Sequence, residues 1–478
     1  MASIGVQNSI PPQRTGTMEN GRRWSDLEQE DDNMLIHMEW GRLQEEFFDY
    51  LEAKTRTIET IVAQHLDLGP HQQCRVADRS QWLHGSFNVC VPVVVSNWQA
   101  KRVLIRCPLP HRLGGLHTTT LMEEKLRCEA ASFAWISENC PRVPIPRLWG
   151  FGLPAGMMME FIEKETGEML WEMGFPGSEH RRTFFRSFSR ILLDLSHPLP
   201  KIGSFTLLDS GDVSLRNRPL TKGLAELENE SIPTDISRDY CYTATDSYLY
   251  DLLHCHALKL RHQPNSTRND YDTEGQMATI VMLRALLPQF MNRRLRHGPF
   301  SFTLTDLHES NIFVNKQYHI TSIVDLEWSC SLPIDMQHLP FWLGGDQFDD
   351  LYGEGNEEKE RQFIRTCEEF LQILEDEAGA LSSLSPRSWI EGMRDCFCMK
   401  NYWYIAALKI PGAAYNLFID CLQPQFAPSH SEGEGAIRFQ DVVARYWSVD
   451  SKRFVEQKSR DRETYLCQLR SAYQPGCH

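Results

Sequence analysis

Phe300-Ser301-Phe302-Thr303-Leu304-Thr305-Asp306-Leu307-His308-Glu309-Ser310-Asn311-Ile312-Phe313-Val314 is the stretch on which the reading of this chain turns. Apolar residues alternate as far as Leu304, a polar loop follows, and Ile312 opens a second apolar run. Asn315 to Tyr318 is turn chemistry, and a further strand from Ile320 to Val324 ends at Asp325, with Leu326 and Glu327 after it. The pattern predicts a loop carrying an Asp and an Asn five positions apart, then a hairpin that delivers another Asp. Phosphoryl transfer from a nucleotide needs such oxygens, one to accept a hydroxyl proton and others to hold Mg²⁺ on the phosphates. Asp306, Asn311 and Asp325 supply them, with Glu327 as a helper. The same residues could instead cap turns, as Asp and Asn commonly do.

Upstream, the valine-rich run Val89–Val95, the turn Ser96-Asn97 and the apolar Val103–Ile105 predict two strands. A helical pattern spans Met122 to Ile136, and after the proline-rich 141–146 segment two short strands are expected at Arg147–Gly152 and Gly156–Ile162. Strand, strand, helix, strand, strand suits a small antiparallel sheet with one helix packed on it, an α+β arrangement. His84-Gly85-Ser86-Phe87-Asn88 lies between candidate strands, where Gly85 would let the backbone approach phosphate oxygens or would serve an ordinary hairpin turn. Residues 1–32 show no apolar period and read as a disordered tail; helical spacing then runs from Trp40 until Gly69-Pro70 ends it. Further helices are expected at Thr245–Arg261, Met277–Met291, Glu357–Leu374, Trp389–Leu408 and Ile437–Tyr446, with one β-island at Phe302–Trp328.

Composition narrows the class. The 478 residues are 41% hydrophobic, enough for a sizeable core, in two to three domains or one two-lobed unit. The net charge of −15 argues against nucleic acid or anionic membrane as a partner, and no apolar stretch is long enough to span a bilayer. The 14 cysteines lack framework spacing and no signal segment is evident, so free thiols and a cytoplasmic location are expected. His254-Cys255-His256 and Cys396-Phe397-Cys398 fall in helical patterns, where alternate positions diverge, so neither predicts a zinc site.

Asp-Leu-His-x-x-Asn at 306–311 and Ile-Val-Asp-Leu-Glu at 323–327 resemble the catalytic and metal loops of the aminoglycoside phosphotransferase and choline kinase-like family, most closely its large fungal branch. The resemblance implies a two-lobed protein kinase-like fold. Residues 73–162 would form the nucleotide lobe and 163–478 a helical lobe with its working loops at 300–345, preceded by a helical extension at 33–72. By that match Asp306 would be the catalytic base, with Asn311 and Asp325 holding Mg²⁺. Arg106 would grip the α- and β-phosphates of ATP, oriented by Glu129; the Gly85, Ser86 and Asn88 turn would cover them; backbone groups near Glu160 and Ile162 would bond the adenine edge. One departure is Leu304, where the family usually carries a His that braces the loop. Leu326-Glu327 in place of Phe-Gly after Asp325 argues against a kinase of proteins.

The implied activity is ATP- and Mg²⁺-dependent transfer to a hydroxyl of a small molecule. The acidic segment 344–360, with seven carboxylates, is either a solvated loop or a wall for a cationic acceptor. Leu304 and the sparse phosphate turn leave open the alternative of a non-catalytic pseudokinase that binds nucleotide or a partner.

Overall fold

Six antiparallel strands form the N-terminal sheet of the computed structural model, which describes residues 27–114, 119–152, 156–380, 387–431 and 433–473. They are β1 (Gln73–Val76), β2 (Leu83–His84), β3 (Asn88–Ser96), β4 (Arg102–Pro108), β5 (Leu148–Gly152) and β6 (Gly156–Glu160). Their order is β1-β3-β4-β6-β5, with β2 paired to β3. The two-residue period gives this sheet two different faces. Val89, Val91, Val93 and Val95 of β3, Val103 of β4 and Met158 of β6 turn toward the helices Met34–Ala53 and Thr55–His65, packing on Phe48, Leu51, Ile58 and Val62. The alternate positions, among them Asn88, Arg106, Met157 and Met159, face the other way, toward the Thr119–Asn139 helix and the rest of the chain. Arg106 is paired with Cys90 on one side and Met157 on the other, in the middle of the sheet.

Gly156 is required here. Its φ is +132°, and a Cβ would stand 2.2 Å from the Arg106 carbonyl oxygen, so any side chain would push β6 away from β4 at the point where Arg106 is presented.

The C-terminal region is mostly helical, and the chain as a whole is α+β. Phe300–Leu304 pairs with Ser329–Pro333 and Pro198–Leu199, and a second small sheet joins Ile312–Val314, Ile320–Ile323 and Glu168–Met169. Around these strands pack the helices Ser178–Leu195, Thr245–His262, Asp270–Phe290, Glu357–Gly379, Arg387–Cys398 and Asn401–Lys409. Phe184, Phe185, Phe188, Trp342 and Phe370 fill the interface between them.

Several expectations need correction. The helix expected at Trp389–Leu408 is broken, because Lys400 adopts a left-handed φ of 54°. A hairpin (Ser204–Leu207 with Val213–Asn217) and the Lys222–Asn229 helix stand where no element was expected. The polar Ser451–Tyr473 helix carried too few apolar positions to show a period. Residues 1–26 of the expected tail lie outside the described residues, but 27–32 are packed. Leu27 is buried with Met34, Tyr465 and Leu469, and the Glu30 and Asp32 carbonyls accept from Asn265 at 3.2 and 2.8 Å. The acidic run Asp26–Asp32 hid that anchorage. Among the described residues no helix is long and apolar enough to cross a membrane, and thirteen cysteines are free thiols.

Candidate active site

The loop at 305–311 is held by its own polar atoms. Asn311 Nδ2 donates to the Asp306 carbonyl at 2.9 Å and contacts His308 Nε2 at 3.1 Å, which turns the amide nitrogen inward. Val324 N–H donates to the Asn311 carbonyl at 3.0 Å, so the ladder that pairs Ile312 with Ile323 sets Asn311 across from the Val324–Asp325 step. Asn311 thus ties the Asp306 loop to Asp325. Asp325 itself has a left-handed φ of 65°, a strained geometry for a side-chain-bearing residue of the kind that gathers at functional sites.

Leu304, two positions before Asp306, packs against the core. Two other groups brace the loop. Thr305 Oγ1 donates to the Trp328 carbonyl at 2.6 Å, and Trp342 Nε1 donates to the Leu307 carbonyl at 2.8 Å.

Across from the loop, the sheet delivers Arg106 into a cluster of carboxylates. Its guanidinium donates to Glu129, to Asp325 Oδ1 at 2.5 Å and to Glu327 Oε2 at 3.0 Å. Lys125 lies one helical turn before Glu129 and is fully buried. Its ammonium reaches Glu327 at 2.5 Å, Asn88 Oδ1 at 2.8 Å and Glu129 at 3.8 Å. Asn88 Nδ2 completes the ring by donating to Glu327 Oε2 at 2.8 Å. Lys125 was missed in the sequence; its i, i+4 spacing to Glu129 was the available signal.

Three carboxylates face two cations in this cluster, a formal excess of one negative charge when all three are ionised. Glu327 has the most donors, and although burial opposes it, Lys125, Arg106 and Asn88 hold its carboxyl below the ordinary value. Burial pushes Glu129 and Asp325 up against the pull of Arg106. One oxygen from each of the three lies within 4.8 Å of the others. Glu129 and Glu327 are nonetheless sealed and already paired, whereas the Asp325 side chain is 28% exposed. The hard oxygens and the one open carboxylate fit a divalent cation held at Asp325.

The other expected positions are distributed unevenly. Gly85 and Ser86 form the turn between β2 and β3, closed by a Gly85 N–H bond to the Asn88 carbonyl at 3.0 Å. A Cβ at Gly85 would meet nothing within 4 Å, so nothing in the chain itself demands glycine there. Phe87, at the end of this turn, is buried edge-on against Trp328 with ring centroids 5.0 Å apart. At Glu160 the N–H donates to the Arg147 carbonyl at 2.8 Å and the carboxylate accepts from the Arg147 N–H at 3.1 Å, so that N–H is taken up in pairing β6. Ile162 follows the strand end, and its backbone has no backbone partner among the described residues. In the acidic segment, Phe348 and Leu351 pack into the core while Asp350 pairs with Lys359 and Glu360 with Lys400. His254 contacts Asp235 and His256 contacts the Leu408 carbonyl, so the two histidines diverge as helical spacing requires.

No family model matches the chain, and no curated protein matches it. Solved structures do. Plasmodium vivax ethanolamine kinase is 12% identical over 80% of this chain and 83% of its own, with a TM-score of 0.36. A type I macrolide 2'-phosphotransferase is 12% identical over 82% of this chain and 97% of its own, at 0.37. An ADP-bound aminoglycoside phosphotransferase is 9% identical over 83% of this chain and 98% of its own, at 0.39.

Proposed function

We propose that this chain is a kinase-like phosphotransferase that moves the terminal phosphoryl group of ATP, with Mg²⁺, to a hydroxyl of a small molecule. The observation that carries the reading is the junction at Asn311, which binds the Asp306 loop and faces the Val324–Asp325 step that delivers Asp325 to Arg106. Mg²⁺, when bound, would neutralise phosphate charge as the β–γ bridge opens. Asp325 and the Asn311 amide oxygen would hold it. Asp306 would take the proton from the acceptor hydroxyl as the new O–P bond forms and ADP leaves. Arg106, oriented by Glu129 from the Thr119–Asn139 helix, would bind the α- and β-phosphates. The turn at Gly85, Ser86 and Asn88 would cover them, and Ile162 would offer its backbone to the adenine edge. The acidic segment at 344–360 would favour a cationic acceptor.

A second reading, a nucleotide- or partner-binding module without turnover, is favoured by Leu304 and by a phosphate turn that carries a single glycine and ends in Phe87, buried against Trp328. The test is a metabolite screen for ATP- and Mg²⁺-dependent gain of one phosphoryl mass. Product from any acceptor supports the enzyme. Mg-ATP binding without transfer to any compound supports the module, and no binding at all overturns both.

A further inference from the structure

We propose that Lys222 is a phosphate-binding residue of this site, its ammonium meeting the terminal phosphoryl group of the nucleotide beside Asp306. The inference rests on the phosphotransferase reading above and adds to it a residue that neither motif nor spacing marked.

Geometry places Lys222 beside Asp306, the carboxylate that would meet the acceptor hydroxyl. Its Nζ is 3.5 Å from Asp306 Oδ1, and both side chains remain partly open, at 24% and 22% exposure. Burial pulls the ammonium down, but Asp306, then Glu226 and more remotely Asp325, hold it above its ordinary value. Lys222 is therefore within electrostatic reach of both the carboxylate that would take the acceptor proton and the one that would hold the metal. Charge accounting agrees. Arg106 is committed to Glu129, Asp325 and Glu327, and Lys125 to Asn88, Glu129 and Glu327. Neither reaches the Asp306 carboxylate among the described residues, so the acceptor end of the site depends on Lys222 for positive charge. Transfer spreads charge over the phosphoryl oxygens, and a cation fixed beside them is worth most in a partly desolvated site.

The position is also built rather than incidental. Thr221 Oγ1 caps the Lys222–Asn229 helix by accepting from Leu224 N–H at 3.4 Å. Leu220 and Ala225, flanking Lys222, are buried in one apolar cluster with Phe87 and Trp328. That cluster fixes three things together: the helix carrying Lys222, the turn after Gly85-Ser86, and the strand after Glu327.

The rival account is that Lys222 only neutralises Asp306. Calorimetry on the full chain separates them, with Mg-AMP-PNP and Mg-ADP titrated into wild type, Lys222→Met and Lys222→Arg. A lysine on the terminal phosphoryl predicts at least about a tenfold loss of AMP-PNP affinity in Lys222→Met, the scale of one charge-assisted hydrogen bond. ADP affinity should stay within about twofold, and Lys222→Arg should recover part of the loss. If Lys222→Met does not fold, Lys222→Gln replaces it under the same criteria, and Lys222→Arg alone still decides: an arginine variant with a changed ratio of the two affinities supports the assignment. Equal losses for both nucleotides, or no loss for either, overturn the role of Lys222 while leaving the phosphotransferase reading intact. Wild type that binds neither nucleotide overturns that reading instead, and this one with it.

Discussion

The polar site has two ends that differ in kind. At the sheet end, Asn88, Arg106, Lys125, Glu129 and Glu327 are buried, and each contacts at least two others of the group. At the loop end, Asp306, Lys222 and Asp325 are half-buried, each has fewer partners, and Asp325 carries backbone strain. Buried charge is tolerated only where it is compensated, so the sheet end reads as a scaffold whose partners are fixed in place. Chemistry requires unfilled valence and access, and only the loop end retains both. Arg106 bridges the two, with Glu129 and Glu327 on one side and Asp325 on the other.

The largest effect should come from breaking the scaffold. Glu327→Ala leaves Lys125, Arg106 and Asn88 without the acceptor they share, and removing one member of a buried charged network costs roughly 3–5 kcal/mol. Denaturant unfolding measures it. Asp325→Ala, with a partly solvated carboxylate, should cost clearly less stability. Equal losses would erase the contrast between the ends.

Next comes the rate. Asp306→Asn keeps the shape but cannot accept the acceptor proton, so phosphoryl transfer should fall by roughly 10² to 10⁴. Unfolding midpoint and Mg-ATP affinity should change little, since among the described residues the side chain pairs with Lys222 alone, at 3.5 Å. Undiminished product formation would remove Asp306 from the chemistry. A smaller change is expected for the metal: Asp325→Ala should weaken Mg-ATP binding on the order of tenfold, the scale of a contact to a charged group. Calorimetry that returns the wild-type affinity would move the metal elsewhere.

The division between the ends also explains what could be read in advance. Asp306, Asn311 and Asp325 lie within one local strand-loop-hairpin, and the alternating valines of β3 betray a sheet with one apolar face. Arg106 and Glu129 lie on elements with clear periods, and the structure brings them together. Lys125 has a local signal only in its i, i+4 spacing to Glu129; its contact with Glu327 spans 202 positions and that of Lys222 with Asp306 spans 84, and no local pattern encodes either. The helix at Ser451–Tyr473 stayed hidden for a different reason. Its burial rests on a few residues such as Val455, Tyr465 and Leu469, too sparse to make an apolar stripe.

The smallest effect tests what joins the two ends. Thr305 sits beside Asp306, and its hydroxyl donates to the carbonyl of Trp328, the residue after Glu327. Thr305→Val keeps the branched shape and deletes only that bond, leaving the Trp328 carbonyl short of a donor. The expected stability loss is about 1 kcal/mol, the net value of one neutral hydrogen bond. If Thr305 merely fills space, the loss should be smaller and catalysis untouched. If it positions the loop, Asp306 should drift relative to the acceptor while Arg106 and Asp325 stay in place. Turnover should then fall several-fold with Mg-ATP affinity unchanged. Parallel steady-state kinetics and nucleotide titrations make the distinction: an equal decline in both would show that the brace supports the whole site, and that the loop end is no more independent of the scaffold than the sheet end is.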